Sequence, residues 1–417
     1  MVRRPWLIDR PGVARALAPG RPKPRSVRYA PMRLAVYTDY TYSRDEGGVY
    51  AERAFALFLS ALSERIERTV VFGRMRPSGG SSRYRLPDGV DFVALPYYES
   101  LAHPPSAGLA MARSVRAFWR GLDDVDVCWL LGPHPLALVF AGLAALRRRR
   151  LVLGVRQDLV AYTRSRYPGR RLPVAVAAVL DAAYRAIGRF CPVIAVGPAL
   201  ARRYGRSRRV LEIAVSLVSD DEVAAAAGLS RDYRGELRIL SVGRLDAEKN
   251  PTMLAEVLAG LQGAGGRDWR LVVCGEGPLE GALRQRLEQL GVADRAELRG
   301  YVQHGAAMRE TYADAHMLLH VSWTEGLPQV IIEALAARLP VVATDVGGIG
   351  DAVGPAAVLI APGDVDAAIS ALQDLAQNPA KRAAVTEAAG EYARHHTLER
   401  EVERVAEFVQ PTARGGG

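Results

Sequence analysis

The sequence predicts an α/β protein of two doubly wound bodies in tandem, each a parallel sheet covered by helices on both faces. Three observations carry this. Strand-length apolar runs alternate with helix-length stretches along the chain. The alternation restarts at Leu237 after a break in composition. The charge changes sign at that break: residues 1–220 hold 36 Lys+Arg against 17 Asp+Glu, and residues 221–417 hold 19 against 28. With 417 residues, 49% of them apolar, there is material for two cores.

Residues 1–30 carry eight basic residues against Asp9, broken by prolines and glycines, and are expected to be a flexible basic tail. Residues 31–213 then form the first body. Leu34 to Thr38 reads as a strand and Asp39 to Glu46 as a polar loop. Gly47-Gly48 follows, then a helix with apolar positions at Ala51, Phe55, Phe58 and Leu62. Strand, glycine turn, helix opens a nucleotide-binding type of α/β unit. The three spaced glycines of a dinucleotide fingerprint are missing, which argues against a nicotinamide or flavin enzyme. Further strands are expected at Thr69–Phe72, Asp91–Leu95, Asp126–Leu131, Leu151–Val155 and Val193–Val196. His134 follows the fourth main strand, in the turn Gly132-Pro133-His134-Pro135, where ligands of open sheets bind; a solvent-facing turn histidine fits the pattern equally.

The composition changes at about 213–235, the expected linker, and residues 214–396 form the second body. Its strands are expected at Leu237–Val242, Leu271–Cys274, Ala296–Leu298, Met317–Val321, Val341–Ala343 and Val358–Ile360. A last helix, Leu398 to Val409 within about 397–412, lies beyond it.

Cys128, Cys191 and Cys274 lie far apart in apolar runs without metal or redox spacing. No apolar run reaches the ~18 residues of a membrane span, and the N-terminus lacks an apolar core of the signal-peptide kind. A cytoplasmic setting is expected, with the basic half facing nucleic acid, anionic lipid or a phosphorylated acceptor; an arginine-rich genome explains the same charge.

The chemistry concentrates in the second body. Gly243-Arg244 and Lys249-Asn250 stand in the loop after its first strand, Gly275-x-Gly277 after its second. A guanidinium grips phosphate oxygens with two donors and a lysine adds a point charge. The segment Thr324 to Ala334 reads strand end, tight turn, helix start, with Pro328 near the first helical position, so unpaired N–H groups face outward as an anion site. Glu325 and Glu333 bracket that tip. Read as helix, the segment would separate them by roughly 12 Å, the layout of hexose, diphosphate and ribose diol; a capped helix with two chance acids is the plainer alternative.

These ordered motifs, over residues 237–352, resemble the retaining glycosyltransferases of family 4, which have the GT-B fold of two facing Rossmann-like domains. The resemblance implies transfer of a hexose from a nucleoside diphosphate sugar to a hydroxyl acceptor. Arg244 and Lys249 would hold the diphosphate, Glu333 the ribose and Glu325 the hexose. Gly326, Leu327 and Pro328 would lie at the phosphates, and Gly243, Gly275 and Gly277 would lie along the donor. Gly47 and Gly48 would approach the diphosphate from the facing domain, with His134 beside the sugar. The last helix would pack back onto the first domain. Arg338 and Asp351 depart from the family's usual glycine and glutamate. Asp124-Val125-Asp126 has an Asp-x-Asp form used by metal-dependent transferases of another fold, but it precedes a strand, so neither metal nor cofactor is expected. The acceptor is a glycan, a lipid-linked molecule or a small molecule, an anionic membrane surface is a candidate partner, and nucleic acid is not expected. The rival readings are a sugar-nucleotide epimerase on the same fold and a basic nucleic-acid or membrane adaptor with a degenerate donor site.

Overall fold

The computed structural model describes residues 31–77, 83–99 and 104–410. The basic tail predicted at residues 1–30 lies outside the described residues. The first lobe holds nine strands: β1 (Arg33–Asp45), β2 (Gly48–Ala51), β3 (Arg68–Met75), β4 (Tyr84–Arg85), β5 (Val90–Pro96), β6 (Val127–Gly132), β7 (Arg150–Val155), β8 (Val193–Val196) and β9 (Val210–Ile213). The second holds β10 (Leu237–Val242), β11 (Trp269–Cys274), β12 (Ala296–Gly300), β13 (Met317–His320), β14 (Val341–Thr344) and β15 (Val358–Ile360).

The second sheet is parallel throughout, in the order β12-β11-β10-β13-β14-β15. Its strands β11, β13 and β14 are buried on both faces, which is why they read as continuous apolar runs, while the edge strand β12 is half-exposed. Chain direction across the sheet reverses between β10 and β13, and ligands of doubly wound sheets bind beyond such a switch point. The first sheet repeats the plan: β3 and β5 lie on one side of β1, β6 to β9 on the other, all parallel. Its switch point lies between β1 and β6. The helix Leu398–Val409 packs on the helix Phe55–Ser63 and on β9, so this last described helix returns to the first lobe.

The opening unit differs from its prediction. Asp39 to Glu46 is not a loop and Gly47-Gly48 does not lead into the helix. β1 runs on to Asp45 and pairs antiparallel with β2, with Asp45 opposite Gly48, so Glu46-Gly47 closes a hairpin. Tyr40 to Ser43 alternates aromatic and hydroxyl-bearing residues, which favour a pleated, half-buried strand over a loop. The register against β3 shifts between Tyr37 and Thr41, a bulge at Thr38 to Tyr40. β2 and β4, the short antiparallel additions, have no apolar run of their own, and β9 is four residues among arginines.

Candidate active site

Glu325 is the best-anchored of the predicted residues. β13 ends at His320, and the chain turns through Ser322 to bring Glu325 against Lys249 from the loop after β10. Oε1 of Glu325 pairs with the Lys249 ammonium, accepts from Ser322 Oγ at 2.7 Å, and lies 3.0 Å from His320 Nε2. Oε2 has no hydrogen-bond partner among the described residues, so one oxygen is locked and the other is open. Burial works to raise this carboxyl, yet Lys249 and His320 together hold it well below the usual carboxylate range.

That shift sets a pH dependence. With the folded carboxyl below its ordinary value, the unfolded chain binds more protons in acid. The pair's contribution is therefore complete above the ordinary glutamate range, about 4.3, and is lost as pH falls below it. Glu325→Gln is expected to flatten the acid limb of the stability curve, read as melting temperature against pH from neutrality downward.

Arg244 turns into its own loop, pairing with Asp246 and donating from Nη2 to Glu248 Oε1 at 2.8 Å, while its side chain stays 44% exposed. Glu248 is buried, and Arg166 of the first lobe stands 4.0 Å from its other oxygen. The helix Gln329–Ala336 begins after Pro328 with no side-chain cap, so its first N–H groups have no side-chain acceptor. Pro328 is the N-cap rather than the first helical residue. Glu333 lies one turn in: Tyr312 Oη donates to it at 2.8 Å and His304 Nδ1 is 3.9 Å away. Burial raises the Glu333 carboxyl, opposed by His304 and Tyr312 and reinforced by Glu222.

Arg244, Lys249, Glu325, Pro328 and Glu333 line one cleft of about 610 Å³ with Gly243 and Gly275, and Glu52, Arg53, Ala54, Arg83 and Tyr84 of the first lobe face them. This volume is in the range of small-molecule sites. A Cβ on Gly275 would sit 1.8 Å from the Gly243 carbonyl oxygen, so only glycine lets the loops after β10 and β11 touch. Gly277 is not on the cleft wall; it packs against the Leu245 backbone. Gly326 closes the gap between lobes, its Cβ position 2.4 Å from the Arg156 carbonyl oxygen, and Leu327 is buried beside Gly197. Arg83 clasps the cleft mouth, donating to Glu276 at 2.8 Å with its guanidinium 3.6 Å from the Tyr301 ring centroid.

None of the first lobe's predicted residues lines the cleft. Gly47 and Gly48 sit at the hairpin tip and are not among the cleft-lining residues. His134 is buried at the switch point, as the cap of the helix Pro135–Leu146, and is not on the cleft wall either. Its Nδ1 accepts from the Leu136 N–H at 3.2 Å and lies 2.9 Å from Tyr37 Oη, which places the ring proton on Nε2, 3.3 Å from Asp39 Oδ1. Burial lowers its pKa despite Asp39. Tyr98 Oη donates to Asp39 at 2.9 Å and Arg74 Nε stands 3.2 Å from the same carboxylate. Asp126, outside the cleft, accepts from the Arg33 backbone N–H at 2.9 Å and from its guanidinium at 3.2 and 3.1 Å.

Sequence reasoning missed His304, Tyr312, His320, Arg83 and Arg156. Arg156 follows β7, its guanidinium 4.3 Å from the Tyr40 ring centroid and its pKa pushed down to about 10 by burial. A lone arginine after a strand was the available signal.

Residues 230–392 match the family described as glycosyl transferases group 1. The chain is 32% identical over 142 residues to the phosphatidylinositol N-acetylglucosaminyltransferase gpi3 subunit of Schizosaccharomyces pombe, covering 34% of this chain and 30% of that protein. It is 30% identical over 193 residues to the 2-deoxystreptamine glucosyltransferase of Streptomyces kanamyceticus, covering 43% and 49%. The chain thus spans less than half the length of these curated relatives. Among solved structures it is similar to sucrose-phosphate synthase from Thermosynechococcus elongatus, with TM-score 0.67 and 17% identity over 90% of this chain and 98% of that one. HepE of Anabaena in complex with UDP-glucose gives TM-score 0.62 at 17% identity, over 90% and 99%. The chain has the GT-B fold.

Proposed function

We propose that this chain is a retaining glycosyltransferase moving a hexose from a nucleoside diphosphate sugar to a hydroxyl acceptor. One observation carries the reading: Arg244, Lys249, Glu325 and Glu333, far apart in sequence, line a single cleft between lobes at an uncapped helix tip. The group 1 match over the second lobe supports it.

In this reading the donor diphosphate lies against Arg244, Lys249 and the first N–H groups of the helix Gln329–Ala336. Cleavage of the sugar–phosphate bond moves negative charge onto the leaving diphosphate, and donors already in place stabilise that charge more than the ground state. No metal is invoked. Arg244 exchanges its loop carboxylates for phosphate oxygens. The open oxygen of Glu325 accepts from hexose hydroxyls while Lys249, Ser322 and His320 hold the other. Glu333 accepts from the ribose diol. Glu325, ionised and ion-paired, holds the sugar and is no acid; the departing phosphate takes the acceptor's proton on the face it leaves, which gives retention. His134 acts through Asp39 as a positioning residue on the first-lobe side.

Glu333→Ala is expected to weaken nucleoside diphosphate binding by about ten- to a hundredfold, the loss of charged hydrogen bonds of about 1.5–3 kcal/mol. Unchanged affinity by titration calorimetry removes the ribose assignment. The reading as a whole is tested by a thermal-shift screen of UDP-, GDP-, ADP- and TDP-sugars, followed by NMR of the anomeric proton of the product. No stabilising donor, or an inverted product, overturns it.

A further inference from the structure

A groove of about 1040 Å³ lies on the first lobe, at the N-terminal ends of β7, β8 and β9. The cleft lies at the opposite, C-terminal ends. The groove's floor is apolar, from Leu138 and Ala141 on one helix, Ile187 on another, and Leu151 of β7. Arg149, Arg150, Arg208 and Arg209 converge on its rim. Phe190 stands at the lip 81% exposed, and Leu146, ending the helix that forms one wall, is 74% exposed.

The four guanidiniums have no carboxylate within ion-pair distance among the described residues. Arg149 and Arg150 spend donors on the backbone carbonyls of Asp123 and Gln410, and Arg209 lies over the Phe408 ring at 4.6 Å. Arg149 Nε and Arg150 Nη1 are buried without a hydrogen-bond partner among the described residues. Burial, then Arg209 and Arg208, pull Arg150 below its ordinary pKa. Such a cluster is relieved by a bound anion, and guanidiniums match phosphate. The apolar floor asks for more than a free anion. The exposed Phe190 on the groove and the exposed Leu146 beside it fit contact with an extended surface rather than enclosure of a small molecule.

We propose that this groove docks the chain on an acidic phospholipid bilayer, the arginines taking lipid phosphates while Phe190 and Leu146 enter the boundary between headgroups and acyl chains. The arginines supply the long-range attraction to an anionic surface, which salt screens, and the apolar lip supplies the salt-resistant part. The cleft, at the opposite strand ends, stays open to solvent.

The test is flotation of the full chain with phosphatidylcholine vesicles with and without phosphatidylglycerol. Binding is expected only with the acidic lipid. Arg208→Ala with Arg209→Ala is expected to lower the partition coefficient about thirtyfold, each surface arginine contributing a factor of about five. Phe190→Ala should lower it about tenfold, with melting temperature unchanged in this variant and only slightly lowered in the arginine pair, which gives up the Arg209 contact with Phe408. Arg284→Ala with Arg295→Ala removes the same charge from the second lobe and should leave partitioning as it was. Equal binding to phosphatidylcholine alone, an equal loss in this control pair, wild-type partitioning of the Phe190 variant, or salt-dependent DNA binding in place of vesicle binding each overturns the proposal.

Discussion

Arg244→Ala is expected to lower turnover by about 10²–10³, the usual cost of removing one preorganised donor from a developing charge. Its side chain is 44% exposed and held only by its own loop, so the fold should tolerate the change. The loss then appears in kcat more than in KM, because the interaction strengthens as the diphosphate departs. Arg244→Lys should recover little, since a single ammonium lacks the two-donor fork. Single-turnover kinetics with the preferred donor check this; a variant that loses only affinity puts Arg244 on the ground state alone.

Lys249→Ala is expected to damage fold and site together. It strips the cation from Glu325, a carboxylate only 10% exposed. An unpaired charge at such a site costs about 3 kcal/mol, or about 10 °C of melting temperature for the second lobe. The diphosphate loses its point charge at the same time. Pairing Lys249→Met with Glu325→Gln separates the two effects: stability should return while turnover does not. Recovery of both would make the pair structural.

The second lobe was legible because most of its strands, β11, β13 and β14 above all, are buried and read as apolar runs between helices. Leu237–Val242 and Val358–Ile360 have the bounds that pattern suggests, as does Val193–Val196 of the first lobe. The hairpin of β1 and β2 was not, because its polar, aromatic residues resemble a loop until Tyr50 and Ala51 pair with Ser43 and Tyr42. Arg244, Lys249, Glu325 and Glu333 were legible as motifs, each beyond a strand end. What surrounds them was not. His320 and Tyr312 reach the two glutamates through the fold, Tyr312 from 21 positions away. Arg83 meets Glu276 across 193 positions and two lobes. The sequence carries no local periodicity for such contacts; they follow only from how the sheets face one another. Gly277 shows the converse, a glycine in a ligand-like motif whose work is to let two loops pack.

The most direct measurement compares binding of a nucleoside diphosphate with binding of its parent nucleoside, by titration calorimetry, in the wild type and in the Arg244→Ala and Lys249→Ala variants. The base is taken from the donor that stabilises the chain most. The diphosphate should bind the wild type far more tightly than the nucleoside does, and each substitution should erase most of that advantage while nucleoside affinity stays nearly the same. A diphosphate that binds the wild type no better than its nucleoside, or variants that keep the full advantage, would contradict the cleft as a diphosphate grip.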